Sequence, residues 1–210
     1  MTPSAMAPDT IAPDFSAPAV NETKEKERRL RGVAVIVGGG VEGYTGALAP
    51  RIDPGPTYGV GVQLRPTTVL GVELAYSGAV NQFNLSSYGG PSDTKGPMII
   101  RNGGRALATL GLAATIVQPY ILAGLGVNRY TVRGNAGAVG AKDDTSGEVP
   151  LGGGIRSQIG AFTLDARGDY LVPFDQNFAA GVPTSDLNVG SFRSDKSGRY
   201  QATVNLGGRF

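Results

Sequence analysis

The sequence predicts an all-β fold, in which eight antiparallel strands form an up-and-down transmembrane β-barrel that follows a disordered N-terminal tail. Three observations lead to this prediction. Apolar and polar residues alternate through most of the chain after residue 31, long and short connections alternate, and the last strand ends on an aromatic residue. Alternation of this kind indicates strands, because successive side chains of a strand point to opposite faces.

The strand-like pattern occupies eight segments. They are residues 32–44, 57–65, 68–77, 99–111, 118–130, 148–157, 162–172 and 199–210. Most have about the 9–11 residues that a tilted strand needs to cross a bilayer. The connections 45–56, 78–98, 131–147 and 173–198 are long and polar, and those between them are short. Membrane barrels show this alternation, because their turns are short on one side and their loops long on the other.

The chain divides into a tail, residues 1–31, and a barrel, residues 32–210. The tail is rich in Pro and Ala and then becomes highly charged, with few apolar residues to bury, so we expect it to be disordered. It also lacks the basic start and apolar core of a secretory signal. An export signal is therefore expected to have been removed or to lie upstream of Met1.

Composition excludes several kinds of function. The net charge of +2 implies no strongly charged partner such as nucleic acid. The sequence has no cysteine and no histidine, so thiolate metal sites and the commonest general base are missing. No metal constellation or cofactor site is visible, and we expect no enzymatic activity.

The two faces of the predicted strands differ in chemistry. One carries Val, Leu and Ile, whereas the other carries glycines and charged residues, and every strand cation is Arg rather than Lys. The planar guanidinium group pairs well with carboxylates in a narrow interior. We therefore place the apolar face towards lipid and predict an ion-pair network inside the barrel, formed by Glu42, Glu73, Arg101, Arg105, Arg156, Asp165, Arg167 and Asp169. The alternative is a soluble lipocalin-like barrel, whose apolar face would point inwards and bind a small apolar ligand.

Aromatic residues avoid the centres of the predicted strands. Those of the apolar face are expected to form girdles at the two membrane interfaces, and they are Tyr58, Tyr76, Phe162, Tyr170, Tyr200 and Phe210. Three further tyrosines, Tyr44, Tyr120 and Tyr130, fall on the polar face.

The stretch 32–210 resembles the small outer-membrane barrel family, typified by the transmembrane domain of OmpA and by OmpX. The segment PYILAGLGVNRY (119–130), the final strand and the loop alternation carry the resemblance. It implies a barrel in the bacterial outer membrane, surrounded by its lipid and assembled from the periplasm by the barrel-assembly machinery, with Phe210 as the assembly signal. It also implies a structural, anchoring or surface-binding role, with a possible surface ligand at loops 78–98 and 173–198.

A remote alternative comes from the glycines of residues 38–43. Gly38, Gly40 and Gly43 match the dinucleotide-binding pattern G-x-G-x-x-G after an apolar run. That site needs a helix to begin at the glycines, because the helix N-terminus holds the pyrophosphate. Pro50, Pro54 and Pro56 leave little room for such a helix, so a dinucleotide-binding enzyme is disfavoured.

Overall fold

The structure is a computed structural model that describes residues 32–88, 96–134, 143–174 and 197–210. Its strands are β1 (Gly32–Tyr44), β2 (Ile52–Asp53), β3 (Gly55–Arg65), β4 (Leu70–Phe83), β5 (Met98–Gly111), β6 (Val117–Arg133), β7 (Asp144–Ile159), β8 (Phe162–Phe174) and β9 (Arg199–Arg209). Two 3-10 turns, Gly46–Leu48 and Leu85–Tyr88, lie in the long connections. The predicted tail, residues 1–31, lies outside the described residues. In these described ranges, the molecule has no helix with the length and apolar character needed to cross a bilayer.

Eight of the strands close into a barrel. Each pairs antiparallel with the next along the chain, from β3 to β9, and β1 pairs with both β3 and β9. The two-residue β2 pairs with the end of β4 and extends the wall beyond the break at Pro54. The predicted eight-stranded up-and-down barrel is therefore confirmed.

Closure occurs where β1 meets β9. The ladder runs from Ala34 opposite Arg209 to Tyr44 opposite Arg199. Gly40 lies at a close approach of the two chains, because a Cβ atom there would overlap the carbonyl oxygen of Ala202. Glycine at this position lets the backbones reach hydrogen-bonding distance, which is a recurrent use of glycine in strands.

The glycines of residues 38–43 therefore have a structural role in the sheet. They lie inside the continuous β1, where Gly38 and Gly40 pair with both β3 and β9 and Gly43 pairs with β9, and β1 ends at Tyr44 before a short 3-10 turn. No helix begins where a dinucleotide pyrophosphate would need one. The dinucleotide-binding hypothesis is wrong for this reason.

The strands are longer than the sequence pattern predicts, mainly at the long-loop end. Predicted strand 68–77 is β4, which continues to Phe83, and predicted strand 118–130 continues to Arg133. Part of predicted loop 78–98 is therefore sheet. The apolar alternation stops earlier because the outward positions of this part of β4 include small and polar side chains such as Gly78 and Gln82. The backbone ladder does not need apolar side chains, so it continues beside β5.

The two faces of the barrel are chemically opposite. Outward side chains are mostly apolar and exposed, as illustrated by Leu74 at 63% and Leu125 at 64% exposure, whereas ten charged side chains of the strands, from Glu42 to Arg199, are buried inside. A soluble lipocalin-like barrel needs the reverse arrangement. The structure therefore does not support that alternative.

Candidate functional site in the barrel interior

A network of ten charged side chains fills the middle of the barrel. Five arginines pair with five carboxylates, and all ten side chains are 0–7% exposed: Arg101 with Glu42, Arg105 with Asp169, Arg156 with Asp165, Arg167 with Glu73, and Arg199 with Glu148. These charges sum to zero. Buried charges are tolerated when they are paired and hydrogen-bonded in this way.

The part of the network nearer the long loops is built around Glu42. Arg101 donates through Nε and Nη2 to the two carboxylate oxygens of Glu42, at 3.0 and 2.8 Å. Its Nη1 donates to Asn128 Oδ1 at 2.9 Å. Arg199 bonds Glu148, and its Nε lies 3.7 Å from Glu42 Oε2. The four charges therefore form one cluster that joins β1, β5, β7 and β9.

The central part of the network is built around Glu73 and Arg167. Arg167 donates through Nη1 and Nη2 to both oxygens of Glu73, at 2.9 and 2.7 Å. Gln63 Nε2 also donates to Glu73, at 2.8 Å. Two parallel charge-assisted bonds of this kind fix geometry as well as charge. The pair connects opposite walls, because Glu73 lies on β4 and Arg167 on β8.

Tyr120 links this pair to the next one. Its hydroxyl accepts a hydrogen bond from Arg167 Nε at 3.0 Å and donates to Asp165 Oδ2 at 2.7 Å. Arg156 Nε donates to the same Asp165 oxygen at 3.2 Å, and its guanidinium carbon lies 4.5 Å from the centre of the Tyr120 ring. The phenol thus takes part in hydrogen bonding and in a cation–π contact.

Glycines on the inner face leave the space that these side chains occupy. A Cβ atom at Gly152 would approach Asp169, and one at Gly126 would lie 3.0 Å from Glu148 Oε1. At Gly154 it would lie 2.9 Å from the Tyr120 hydroxyl oxygen. The glycines of the inner face therefore leave room in the interior for the large charged side chains.

An apolar cluster closes the interior at the long-loop end. Its side chains are 0–5% exposed, and they are Tyr44, Leu48, Ile52, Phe83, Ile99 and Tyr130. Phe83, which the sequence places in a surface loop, therefore lies inside the barrel end instead. It does so because β4 extends to this residue and keeps its side chain on the inner face.

The structure places all eight predicted network residues inside the barrel, where five salt bridges join them. The sequence prediction omitted Glu148, which pairs with Arg199. The alternation could have identified Glu148, because it lies an even number of residues from Arg156 on the same strand and therefore shares its face. The sequence prediction also did not include Tyr120 among the residues that bond the charged groups. Within the described ranges, no group of three or more metal-ligating side chains forms a metal site.

The six aromatic residues predicted to form girdles all lie on the outer face and are exposed. Three of the tyrosines lie over a glycine of the neighbouring strand or its edge: Tyr58 over Gly78, Tyr200 over Gly43, and Tyr170 over Gly198. Aromatic rings over glycines cover backbone that would otherwise be bare. By contrast, Tyr44, Tyr120 and Tyr130 are buried inside. A role for the outer six at membrane interfaces stays a prediction.

Comparison with solved structures gives the fold of the chain. Neisserial surface protein A superposes with a TM-score of 0.60 at 16% identity, over 85% of this chain and 97% of that one. The N-terminal β-barrel domain of OprF from Pseudomonas aeruginosa gives a TM-score of 0.50 at 14% identity, over 86% of this chain and 98% of that one. No protein-family model and no curated protein matches the sequence. The chain therefore has the fold of the small eight-stranded outer-membrane barrels, and the predicted resemblance is confirmed at the level of fold.

Proposed function

We propose that this chain is an integral protein of the bacterial outer membrane, with a structural, anchoring or surface-binding role. The observation that carries the proposal is a closed barrel that is apolar outside and has paired charges inside. Closure matters because an unpaired backbone group in hydrocarbon costs several kcal/mol. The outer apolar residues would contact outer-membrane lipid directly.

The orientation follows from the connections. The short turns and the start of β1 lie at one end, and the long loops lie at the other. In barrels of this fold the short turns face the periplasm, so the long loops would reach the cell surface. Any surface ligand would bind there, in the predicted loops 78–98 and 173–198. Residues 89–95 and 175–196 of these loops lie outside the described residues.

We propose a role without catalysis or conduction. The buried carboxylates of the network are each held by an arginine, and the sequence has no histidine or cysteine to serve as a base or nucleophile. Eight-stranded barrels have interiors that side chains can fill. Here the charged network and the apolar cluster at the long-loop end occupy that space.

The proposed membrane location predicts two properties of the isolated protein. It should require detergent for extraction from membranes, because its outer face is apolar. On a gel in dodecyl sulfate, the unheated protein should migrate differently from the boiled protein, since a closed ladder resists unfolding by detergent. A chain that remains a monomer in buffer without detergent would contradict the proposal.

Phe210 tests the proposed assembly signal. Its ring is 86% exposed on the outer face, after the last residue of β9. We expect Phe210→Ser to leave refolding in detergent nearly unchanged, because the ring makes few contacts inside the protein. In cells, we expect the same variant to reduce the amount of barrel in the outer membrane. Phe162→Ser, an equally large change at the same end of the barrel, is the control. Equal membrane levels of both variants and the parent protein would leave Phe210 as an ordinary interfacial residue.

A further inference from the structure

The short-turn end of the barrel interior carries more positive than negative charge. Arg65 of β3, Arg156 of β7 and Arg209 of β9 lie at this end, close to the short-turn ends of their strands. The nearby carboxylate is Asp165, which Arg156 shares with Arg167. The short connections 66–69, 112–116 and 160–161 contain no acidic residue. This end therefore departs from the one-to-one pairing of the central network.

Arg65 is the clearest case. It is 6% exposed, and within the described residues it forms no salt bridge. Its Nη2 donates to the Thr68 carbonyl oxygen at 3.0 Å and to Gln118 Oε1. Its Nη1 is buried and has no hydrogen-bond partner among the described residues. A buried guanidinium group with an unused donor is costly unless a further acceptor is supplied.

Two more unused donors lie at the same end. Arg156 Nη2 and the hydroxyl of Thr163 are buried, and neither has a partner in the described part of the chain. The sheet register brings these groups together. Gln118, which Arg65 bonds, is the cross-strand partner of Arg156, and Thr163 is the partner of Gln158, which accepts from Arg209 Nη1 at 3.2 Å. The three unused donors thus come from three strands, β3, β7 and β8, at the same end of the interior.

We propose that the short-turn end of the interior binds a small tetrahedral oxyanion, with inorganic phosphate as its representative. Arg65 and Arg156 supply charge-assisted hydrogen bonds, Thr163 supplies a neutral one, and Arg209 contributes long-range attraction. Guanidinium groups suit this ligand because their planar N–H groups match the oxygens of phosphate. The anion would offset the charge of Arg65 and Arg209, which Asp165 does not balance because it already pairs with Arg156 and Arg167. This site shares Arg156 with the paired network, adds Arg65, Thr163 and Arg209 to it, and does not depend on the proposed cellular location.

The test is phosphate binding to the full chain, refolded in an uncharged maltoside detergent that contains no phosphate. Titration calorimetry at low salt should show saturable binding of inorganic phosphate, whereas the same titration with chloride, the reference anion, should not. Phosphate should also raise the unfolding temperature, because a ligand that binds only the folded state stabilises it. We expect Arg65→Gln to weaken binding at least about tenfold, as for a lost charge-assisted bond.

The matched control is Arg133→Gln. It also removes one arginine charge, but from an exposed side chain at the long-loop end of β6, far from the proposed site. It should bind phosphate like the parent chain. If Arg65→Gln does not fold, Thr163→Val keeps a similar volume, removes one donor and should weaken binding by a smaller factor. Absence of saturable binding to the parent chain would overturn the proposal, as would equal weakening by Arg65→Gln and Arg133→Gln. In either case, ordered water would be the partner of the three buried donors.

Discussion

Deletion of residues 205–210 is expected to abolish folding of the barrel. These residues include the end of β9, which pairs with Ala34–Gly38 of β1 on one side and with Phe162–Asp165 of β8 on the other. Their loss would leave two ladders unpaired at the point of closure. Each unpaired backbone group in the apolar phase costs several kcal/mol, so no other single change we consider should have a larger effect. The difference between unheated and boiled samples on gels, together with far-ultraviolet circular dichroism, measures the outcome.

The matched control for this deletion is removal of residues 1–28 at the other terminus. This change leaves all of β1 in place, so we expect refolding in detergent to remain nearly intact. Failure of that shortened chain to fold would show that the domain boundary at residue 31 is wrong. Folding of the chain without 205–210 would show that β1 and β8 can close the barrel by themselves.

Replacement of Glu73 by Ala is expected to destabilise the barrel by about 3–5 kcal/mol, the usual cost of removing one partner of a buried ion pair. Glu73 is 1% exposed and receives both terminal nitrogens of Arg167, and Gln63 donates to the same carboxylate. Its removal leaves the Arg167 charge without its closest partner. Urea-induced unfolding in detergent measures the loss.

Two further variants separate charge from packing. Glu73→Gln keeps the shape but removes the charge, and Asp53→Asn removes the charge of an exposed carboxylate on β2. We expect a large loss of stability for the first and an effect within about 0.5 kcal/mol for the second. The double variant Glu73→Gln with Arg167→Gln should lose less than the sum of the two single variants, because neither charge is then left alone. Equal and small effects at Glu73 and Asp53 would show that Glu73 does not face a dry interior.

Local sequence was sufficient for the strand count and for the two faces. Alternation predicted the eight wall strands, and parity placed the charged side chains from Glu42 to Asp169 on one face. It did not predict the ends of β4 and β6, because apolar alternation reflects the surroundings of the side chains whereas the ladder depends on backbone hydrogen bonds. It also missed Phe83 as an interior residue for the same reason.

The sequence by itself determined which side chains share a face, because the period of a strand is two residues and needs no knowledge of neighbours. Only the tertiary structure decided which charges meet. Glu73 and Arg167 are 94 residues apart, and Glu42 and Arg101 are 59 residues apart. Each pair spans the lumen between strands that are not neighbours in the sheet. The stagger and closure of the whole barrel set such contacts, and a local pattern does not contain that information.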